Sequence, residues 1–228
     1  LRTAADALAL RAELLPGRRL LLAGGGVIGL EVAASAAALG CQAVVAEAAP
    51  RLLARGAPAL LGERLLALHR ARGVVVHLGA GLAALEGRVA TLSDGTRVEA
   101  DCVLLGIGAT ANDELAREAG LAVQDGIVVD ALGRTADPAI LAVGEVARHP
   151  LPRFGLDAIR QESWRHAELH PRAVAAGQAY DEVPGFWSDQ HGTRLLVEGL
   201  PQAGVQLVVR GAETEKPVTF HLDAAGRR

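Results

Sequence analysis

At 228 residues, half of them apolar, the chain carries enough material for one large domain or one and a half ordinary ones around a sizeable core. A formal net charge of −3 gives no electrostatic case for nucleic acid or an anionic membrane, and aromatics at 3% argue against base-stacking platforms. Arg, Glu and Gly interrupt every apolar run before it reaches membrane-spanning length, and no signal-peptide pattern opens the chain, so a cytoplasmic location with no membrane partner is expected. The chain starts at Leu1 and contains no Met, which reads as a piece of a longer polypeptide. Cys41 and Cys102 stand alone, without C-x-x-C or metal-like spacing, and read as small buried hydrophobes.

In chain order, Thr3 can cap a helix over Ala4 to Leu15, with Asp6 in its first turn and Pro16-Gly17 as its stop. Arg19 to Ala23 reads as a strand, Val27 to Leu39 as a helix closed by Gly40, and Gln42 to Ala46 as a second strand. Pro58 opens a helix through Arg72, Gly73 closes it, and Val74 to Leu78 is a β-branched third strand. Leu82–Leu85, Arg88–Leu92 and Arg97–Glu99, joined by Glu86-Gly87 and Asp94-Gly95, form an antiparallel meander. Cys102 to Leu105 then returns as a buried strand ending in Gly106-Ile107-Gly108. Beyond it come a short helix (Asp113 to Ala119), strands at Ile127–Val129 and Ile140–Val143, and a helix from about Arg160 that carries Glu162, Ser163 and Trp164. Short strands follow at Phe186–Asp189, Thr193–Val197, Val205–Val209 and Val218–Leu222, and the chain ends at Arg227-Arg228 without a closing signal.

The most informative stretch is Leu20 to Leu39, where Gly24, Gly26 and Gly29 hold the G-x-G-x-x-G spacing between a strand and a helix. Glu47 follows 18 residues after Gly29, at the end of the next strand. Together these are the fingerprint of a dinucleotide-binding βαβ unit. Gly24 makes the tight turn, Gly26 lets backbone approach a pyrophosphate, and Gly29 lets helix and strand pack closely. The helix beginning at Val27 offers unpaired N–H groups and a positive dipole end to the phosphates. Glu47 can accept both ribose hydroxyls of an adenosine and would repel a 2′-phosphate, which favours NAD over NADP. Arg51 and Arg55, just beyond, either touch adenine or a phosphate or form a solvated edge, and they leave room for NADP.

The segments GGGVIGLEVA, VVAEAAPRLLAR, LSDGT, ADCVLLGIGATAND, LAVGEVA, IRQESWRHA and FWSDQHG run through most of the chain. In that order they resemble the flavoprotein ferredoxin reductases of ring-hydroxylating dioxygenase and cytochrome P450 systems, within the pyridine nucleotide-disulfide oxidoreductase superfamily. The glycine motif is shared by the whole superfamily, whereas E-S-W and F-W-S-D-Q are particular to the ferredoxin-reductase branch. The resemblance implies an α/β fold in three parts. Residues 1–112 would be a Rossmann-like NAD(H)-binding domain, a parallel sheet plus the antiparallel meander. Residues 113–178 would be the returning part of an FAD domain, and 179–228 part of an antiparallel β interface domain. The amino-terminal FAD fingerprint and the last strands of the interface domain would lie outside the chain.

By the same resemblance, Ile28 and Glu31 match contacts to the nicotinamide end of NADH, and Gly106, Ile107 and Gly108 the loop against which it lies. Glu145 falls where the family has an Asp that binds the FAD ribityl chain, and Glu162 and Trp164 lie in the segment near the flavin, with Trp187 towards the ferredoxin-docking face. The implied function is electron transfer from NADH through FAD to a [2Fe–2S] ferredoxin, with cofactors doing the chemistry and protein groups positioning them. An NADH oxidase or peroxidase, or a non-catalytic NAD-binding module, are the alternatives. Other readings stand beside these. Glu31 is also a favourable helix N-terminal charge, Glu145 an ordinary turn acid, and Trp164 a packing residue. His166 and His170-Pro171 replace the family's more usual Asn and Gln-Gly, and Pro171 cannot continue its helix without a kink. The two histidines lack a partner acid cluster and read as surface or packing residues, and His69, His149 and His191 read as isolated.

Overall fold

Thr3 and Asp6 close the first helix reciprocally: the Thr3 hydroxyl accepts from the Asp6 N–H, and the Asp6 carboxylate accepts from the N–H groups of Arg2 and Thr3. In this computed structural model, which describes residues 1–201, 204–211, 214 and 217–226, that helix is α1 (Ala4–Glu13). By its internal contacts the chain divides into two units, Leu1–Gly108 with Trp187–Leu195, and Ala109–Phe186 with Leu196–Arg228. Arg227 and Arg228 lie outside the described residues.

The first unit continues with β1 (Arg19–Ala23), α2 (Val27–Ala38), β2 (Gln42–Glu47), α3 (Ala59–Ala71) and β3 (Val75–Leu78). Then come β4 (Leu82–Glu86), β5 (Val89–Leu92), β6 (Arg97–Glu99) and β7 (Cys102–Leu105). The parallel sheet has the order β3-β2-β1-β7, with Leu21 of β1 opposite Val44 on one side and Val103 on the other. Strands buried on both faces read as continuous apolar runs, and Leu20, Leu21 and Leu22 are at most 2% exposed. The alanine-rich α2 buries Leu30, Ala33 and Ala36, small enough to bring the helix close to the sheet. The meander β4-β5-β6 packs Ala90, Leu92 and Ala100 onto Leu21 and Ala46. At the amino end of β1, Arg19 grips Asp101 through its backbone N–H and guanidinium. The guanidinium holds the Asp101 carboxyl well below the usual carboxylate range.

In the second unit, α4 (Glu114–Glu118) precedes β8 (Ile127–Val128), a 3₁₀ turn over Gly144–Val146, β9 (Ala147–Leu151), a second 3₁₀ turn over Pro152–Phe154, β10 (Leu156–Arg160) and α5 (Trp164–Ala175). These strands form a sheet of order β10-β9-β8, with β8 parallel and β10 antiparallel to β9. The chain continues through β11 (Gly185–Gln190), β12 (Thr193–Glu198), β13 (Gln206–Arg210) and β14 (Val218–Leu222), paired as β11-β12 and β13-β14.

Two sequence expectations fail in this unit. Ile140–Val143 is not a strand: residues 133–135 run alongside it, but the pairing is a single isolated bridge, Arg134 to Leu141, flanked by the bonds from the Thr135 N–H to the Ile140 carbonyl and from the Ala142 N–H to the Gly133 carbonyl, too short to extend into a ladder. Arg160 ends strand β10 rather than opening a helix, and Ser163 caps α5 by accepting from the His166 N–H. Glu162 therefore sits in the loop before the helix. Helix α5 continues through Pro171 to Ala175 and buries His166, His170 and Val174 on its inner face.

Candidate functional site

Chain direction explains where a ligand would sit. From β1 the chain moves outward through β2 to β3, then returns to lay β7 on the opposite side of β1. The helices therefore leave a crevice at the carboxyl ends of β1 and β7, the topological switch point at which open α/β sheets take ligands. Two glycine loops meet there. Gly24 follows β1 with φ 111°, and a Cβ on it would stand 2.4 Å from the Gly106 carbonyl oxygen. A Cβ on Gly29 would stand 2.2 Å from the Gly24 carbonyl oxygen, so α2 and β1 meet at a distance only glycine permits. Gly26 differs: its backbone is extended (φ −81°, ψ −178°) and a Cβ there meets nothing within 4 Å. The fold makes no demand for glycine at Gly26, and the space above it is open. Gly26 also caps α2 without a side chain, and Val27 begins the helix. Ile28 and Ile107 are 51% and 73% exposed beside these loops.

Glu47 ends β2 with its carboxylate tied at both oxygens: Oε2 accepts from the Gly25 N–H at 2.5 Å and Oε1 from the Ala49 N–H at 2.7 Å. Each oxygen retains a lone pair for a hydroxyl donor. Gly25, a variable position in the motif, is constrained too, since a Cβ would lie 2.6 Å from Leu52 Cδ2 and 3.1 Å from Glu47 Oε2. Arg51 is a structural residue rather than a ligand arm. Its guanidinium donates to the carbonyls of Leu52, Leu53, Ala54 and Ala57 and knots the loop after β2. The Arg55 guanidinium instead lies 3.1 Å from where a Gly108 Cβ would be, against the loop that follows β7.

On α2, Glu31 Oε1 accepts from the Ser188 hydroxyl at 2.6 Å. Neither Ser188 nor the residues behind it, Gln190 and His69, were singled out from the sequence. The FWSDQHG string was the only pointer. Burial of His69 and His191 pushes both imidazoles below their ordinary range.

In the second unit, Glu145 projects exposed from the Gly144–Val146 turn, and that turn is pinned by neighbours the sequence did not pair. His166 Nε2 donates to the Gly144 carbonyl at 3.2 Å, the Gly144 N–H donates to His170 Nδ1 at 3.2 Å, and Arg160 donates to the Glu145 carbonyl at 3.4 Å. Arg160 also pairs with Asp125 and, at 2.6 Å, with Glu162. His166 and His170 are packing residues rather than surface ones, 1% and 0% exposed: their rings lie stacked or tilted against each other and His149, with Tyr180 edge-on or tilted, at centroid distances of about 5 Å. Burial, reinforced by the neighbouring imidazoles, lowers the His166 pKa to about 3 and that of His170 to about 4, and burial raises Tyr180 to about 12. The stack is therefore neutral near pH 7. Trp164 is 67% exposed, which removes the core-packing reading. Among the described residues no group of three or more His, Cys, Asp or Glu could hold a metal ion.

Residues 1–177 match the family of pyridine nucleotide-disulphide oxidoreductases. The chain is 46% identical to the ferredoxin–NAD(+) reductase component of the anthranilate 1,2-dioxygenase system of Burkholderia cepacia, covering 99% of this chain and 58% of that protein. It is 40% identical to the corresponding component of the p-cumate 2,3-dioxygenase system of Pseudomonas putida, covering 98% of this chain and 56% of that one. Among solved structures, the covalent putidaredoxin reductase–putidaredoxin complex superposes with a TM-score of 0.93 at 34% identity, over 98% of this chain and 57% of that chain. The ferredoxin reductase for the CYP199A2 system of Rhodopseudomonas palustris gives 0.93 at 36%, over 98% and 58%. The chain thus spans a little over half the length of the curated relatives it matches.

Because nothing in the fold occupies the space over Gly26, Gly26→Val should leave the melting temperature within about 1–2 °C of wild type while NADH affinity falls at least about tenfold. Calorimetric titration with parallel melting curves checks this, and retained binding would make the glycine incidental.

The buried histidines carry a pH signature. Their folded pKa values lie below the unfolded value near 6.5, so the unfolded chain binds more protons between about pH 6.5 and 4. Stability should be full above pH 6.5 and fall on acidification through that window, by up to about 1.4 kcal/mol per pH unit for each proton taken up. His166→Gln, which keeps a donor for the Gly144 carbonyl but cannot charge, should flatten that dependence. Equal slopes for wild type and variant between pH 6.5 and 5 would count against the assignment.

Proposed function

This chain belongs to the pyridine nucleotide-disulphide oxidoreductase family, and we propose that it is the NAD(H)-binding part of an NADH-dependent flavoprotein reductase. In that reading electrons pass from NADH through FAD to a [2Fe–2S] ferredoxin. The observation that carries it is the convergence of two glycine loops at the β1–β7 switch point with a backbone-anchored carboxylate at the end of β2. The relatives named as ferredoxin–NAD(+) reductase components, and the solved reductase–putidaredoxin complex, support the ferredoxin as partner. The reading puts the protein in the cytoplasm, where NADH is available. No described helix is long and apolar enough to cross a membrane.

The residues present fit a dinucleotide. Gly26 leaves a cradle that a Cβ would fill, the first turn of α2 presents N–H groups to phosphate, and Glu47 keeps acceptors for the adenosine ribose. Ile28 and the Gly106–Gly108 loop would flank the nicotinamide, and Glu31 would accept from its carboxamide. NADH, when bound, supplies the hydride, so the chain needs no nucleophile and no general base. Its groups bind and orient. Arg55 against Gly108 places a cation near the nicotinamide loop rather than at the ribose, so the reading keeps NAD ahead of NADP.

For FAD the second unit offers acceptors suited to ribityl hydroxyls. Glu145 stands on a turn fixed by His166, His170 and Arg160, and Glu162 and Trp164 lie exposed around the start of α5. One methylene longer than the family's Asp, Glu145 reaches further from a turn that has little freedom to retreat.

Titrating NADH and NADPH against wild type and Glu47→Gln tests the dinucleotide assignment. Wild type should prefer NADH at least about tenfold, and the variant should lose about 1.5–3 kcal/mol of NADH affinity with little change for NADPH. Equal wild-type affinities for the two cofactors would defeat the role given to Glu47.

A further inference from the structure

Glu31 is the terminus of a buried hydrogen-bond chain drawn from three separate segments of the first unit. The direction of every bond follows from the anion. A carboxylate has only acceptors, so the Ser188 hydroxyl donates to Glu31 Oε1. The Ser188 oxygen then accepts from Gln190 Nε2 at 2.9 Å, which turns the Gln190 carbonyl oxygen towards His69 Nε2, 2.8 Å away. With its proton on Nε2, neutral His69 presents a bare Nδ1, which accepts from His191 Nε2 at 3.1 Å. Every donor points the same way, and each bond polarises the next towards Glu31.

The surroundings make the chain hard to replace. Ser188, Gln190 and His69 are 0%, 1% and 0% exposed, so water cannot stand in for a missing member. His191 reaches His69 because its backbone adopts φ 50°, followed by Gly192 at φ 77°, the pair of positive angles that a two-residue hairpin turn requires. The His69 and His191 rings then meet edge to face at 4.5 Å. An apolar patch would pack the hairpin tip against the helices at lower desolvation cost. Unlike an apolar patch, this chain holds one carboxylate oxygen of a long, flexible side chain in place. Among the described residues Oε2 of Glu31 has no hydrogen-bond partner.

We propose that Ser188, backed by Gln190 and His69, is a positioning residue that fixes the Glu31 carboxylate so that its second oxygen is available to the nicotinamide carboxamide of NADH. This rests on the reading of Glu31 as a nicotinamide contact. It assigns Ser188 and Gln190 of the FWSDQ segment a task at the nicotinamide end of the cofactor, and it joins His69 and His191 to that task.

ADP-ribose, which carries every part of NADH except the nicotinamide, separates positioning from bulk stability. The full 228-residue chain is titrated with NADH and with ADP-ribose, as wild type, Glu31→Ala and Ser188→Ala. Ser188→Ala should weaken NADH about five- to twentyfold and leave ADP-ribose within about twofold, and Ser188→Thr should restore most of the loss. If Ser188→Ala does not fold, Gln190→Met, which removes only the support behind the hydroxyl, should show the same selective loss at smaller size. Equal weakening of both ligands, or none of either, overturns the positioning role. Selective loss in Glu31→Ala without any in Ser188→Ala sinks the proposal alone, whereas no selective loss in Glu31→Ala removes the nicotinamide reading beneath it. A wild type that binds neither ligand overturns both.

Discussion

Two backbone contacts set the geometry of the first unit: the Gly24 carbonyl against Gly29 and the Gly106 carbonyl against Gly24. Neither leaves room for a single methyl group. Because α2 comes this close to the end of β1, its amino terminus opens on the crevice between β1 and β7 rather than behind it. Because the loop after β7 comes as close on the other side, that crevice has a second backbone wall. The alanine face of α2 and the sheet order β3-β2-β1-β7 follow from the same requirement, since a bulkier helix or a strand inserted next to β1 would separate the loops.

Gly26 shows the difference between a glycine the fold needs and one it does not. Gly24, Gly25 and Gly29 each have backbone or side-chain atoms where a Cβ would go, and Gly26 has none. A residue with free space and ordinary backbone angles gains nothing in the folded state from being glycine, and costs conformational entropy. In the proposed reading its presence at the helix cap answers to a phosphate approaching from outside. Glu47 extends the argument, because its two backbone hydrogen bonds, one from the residue just before the cap of α2, hold a negative group beside the glycine loop.

Local signals made the βαβ unit legible. The apolar runs, Thr3, Pro58, Gly40 and Gly73 placed α1, α2, α3 and the first strands within about two residues, since caps and periodicity act over a few positions. What failed depended on partners elsewhere in the chain. Ile140–Val143 is as apolar as a strand, yet it meets residues 133–135 through a single bridge, while Leu156–Arg160 became β10 along the length of β9. Of the candidate site, the glycine loops and Glu47 could be found by spacing. Arg51 could not be told from a ligand arm, because the four carbonyls it holds come together only in the folded loop.

The histidines show why isolation in sequence says little about chemistry in the fold. His69 and His191 lie 122 positions apart and share a hydrogen bond; His149, His166 and His170 share a stack in the other unit. At His69 one neutral imidazole supplies both a donor and an acceptor; in the stack His166 supplies the donor and His170 the acceptor, and burial keeps these rings from charging. The ring joins groups of opposite hydrogen-bonding sense: a glutamine oxygen with a second histidine in one case, and, through a pair of rings, the carbonyl and N–H of Gly144 in the other. A lysine or arginine would have brought charge and donors alone, and a leucine neither donor nor acceptor. The two groups therefore do the same work, holding a short polar segment in one conformation without adding charge: the Ser188–Gln190 strand that meets Glu31, and the turn that carries Glu145.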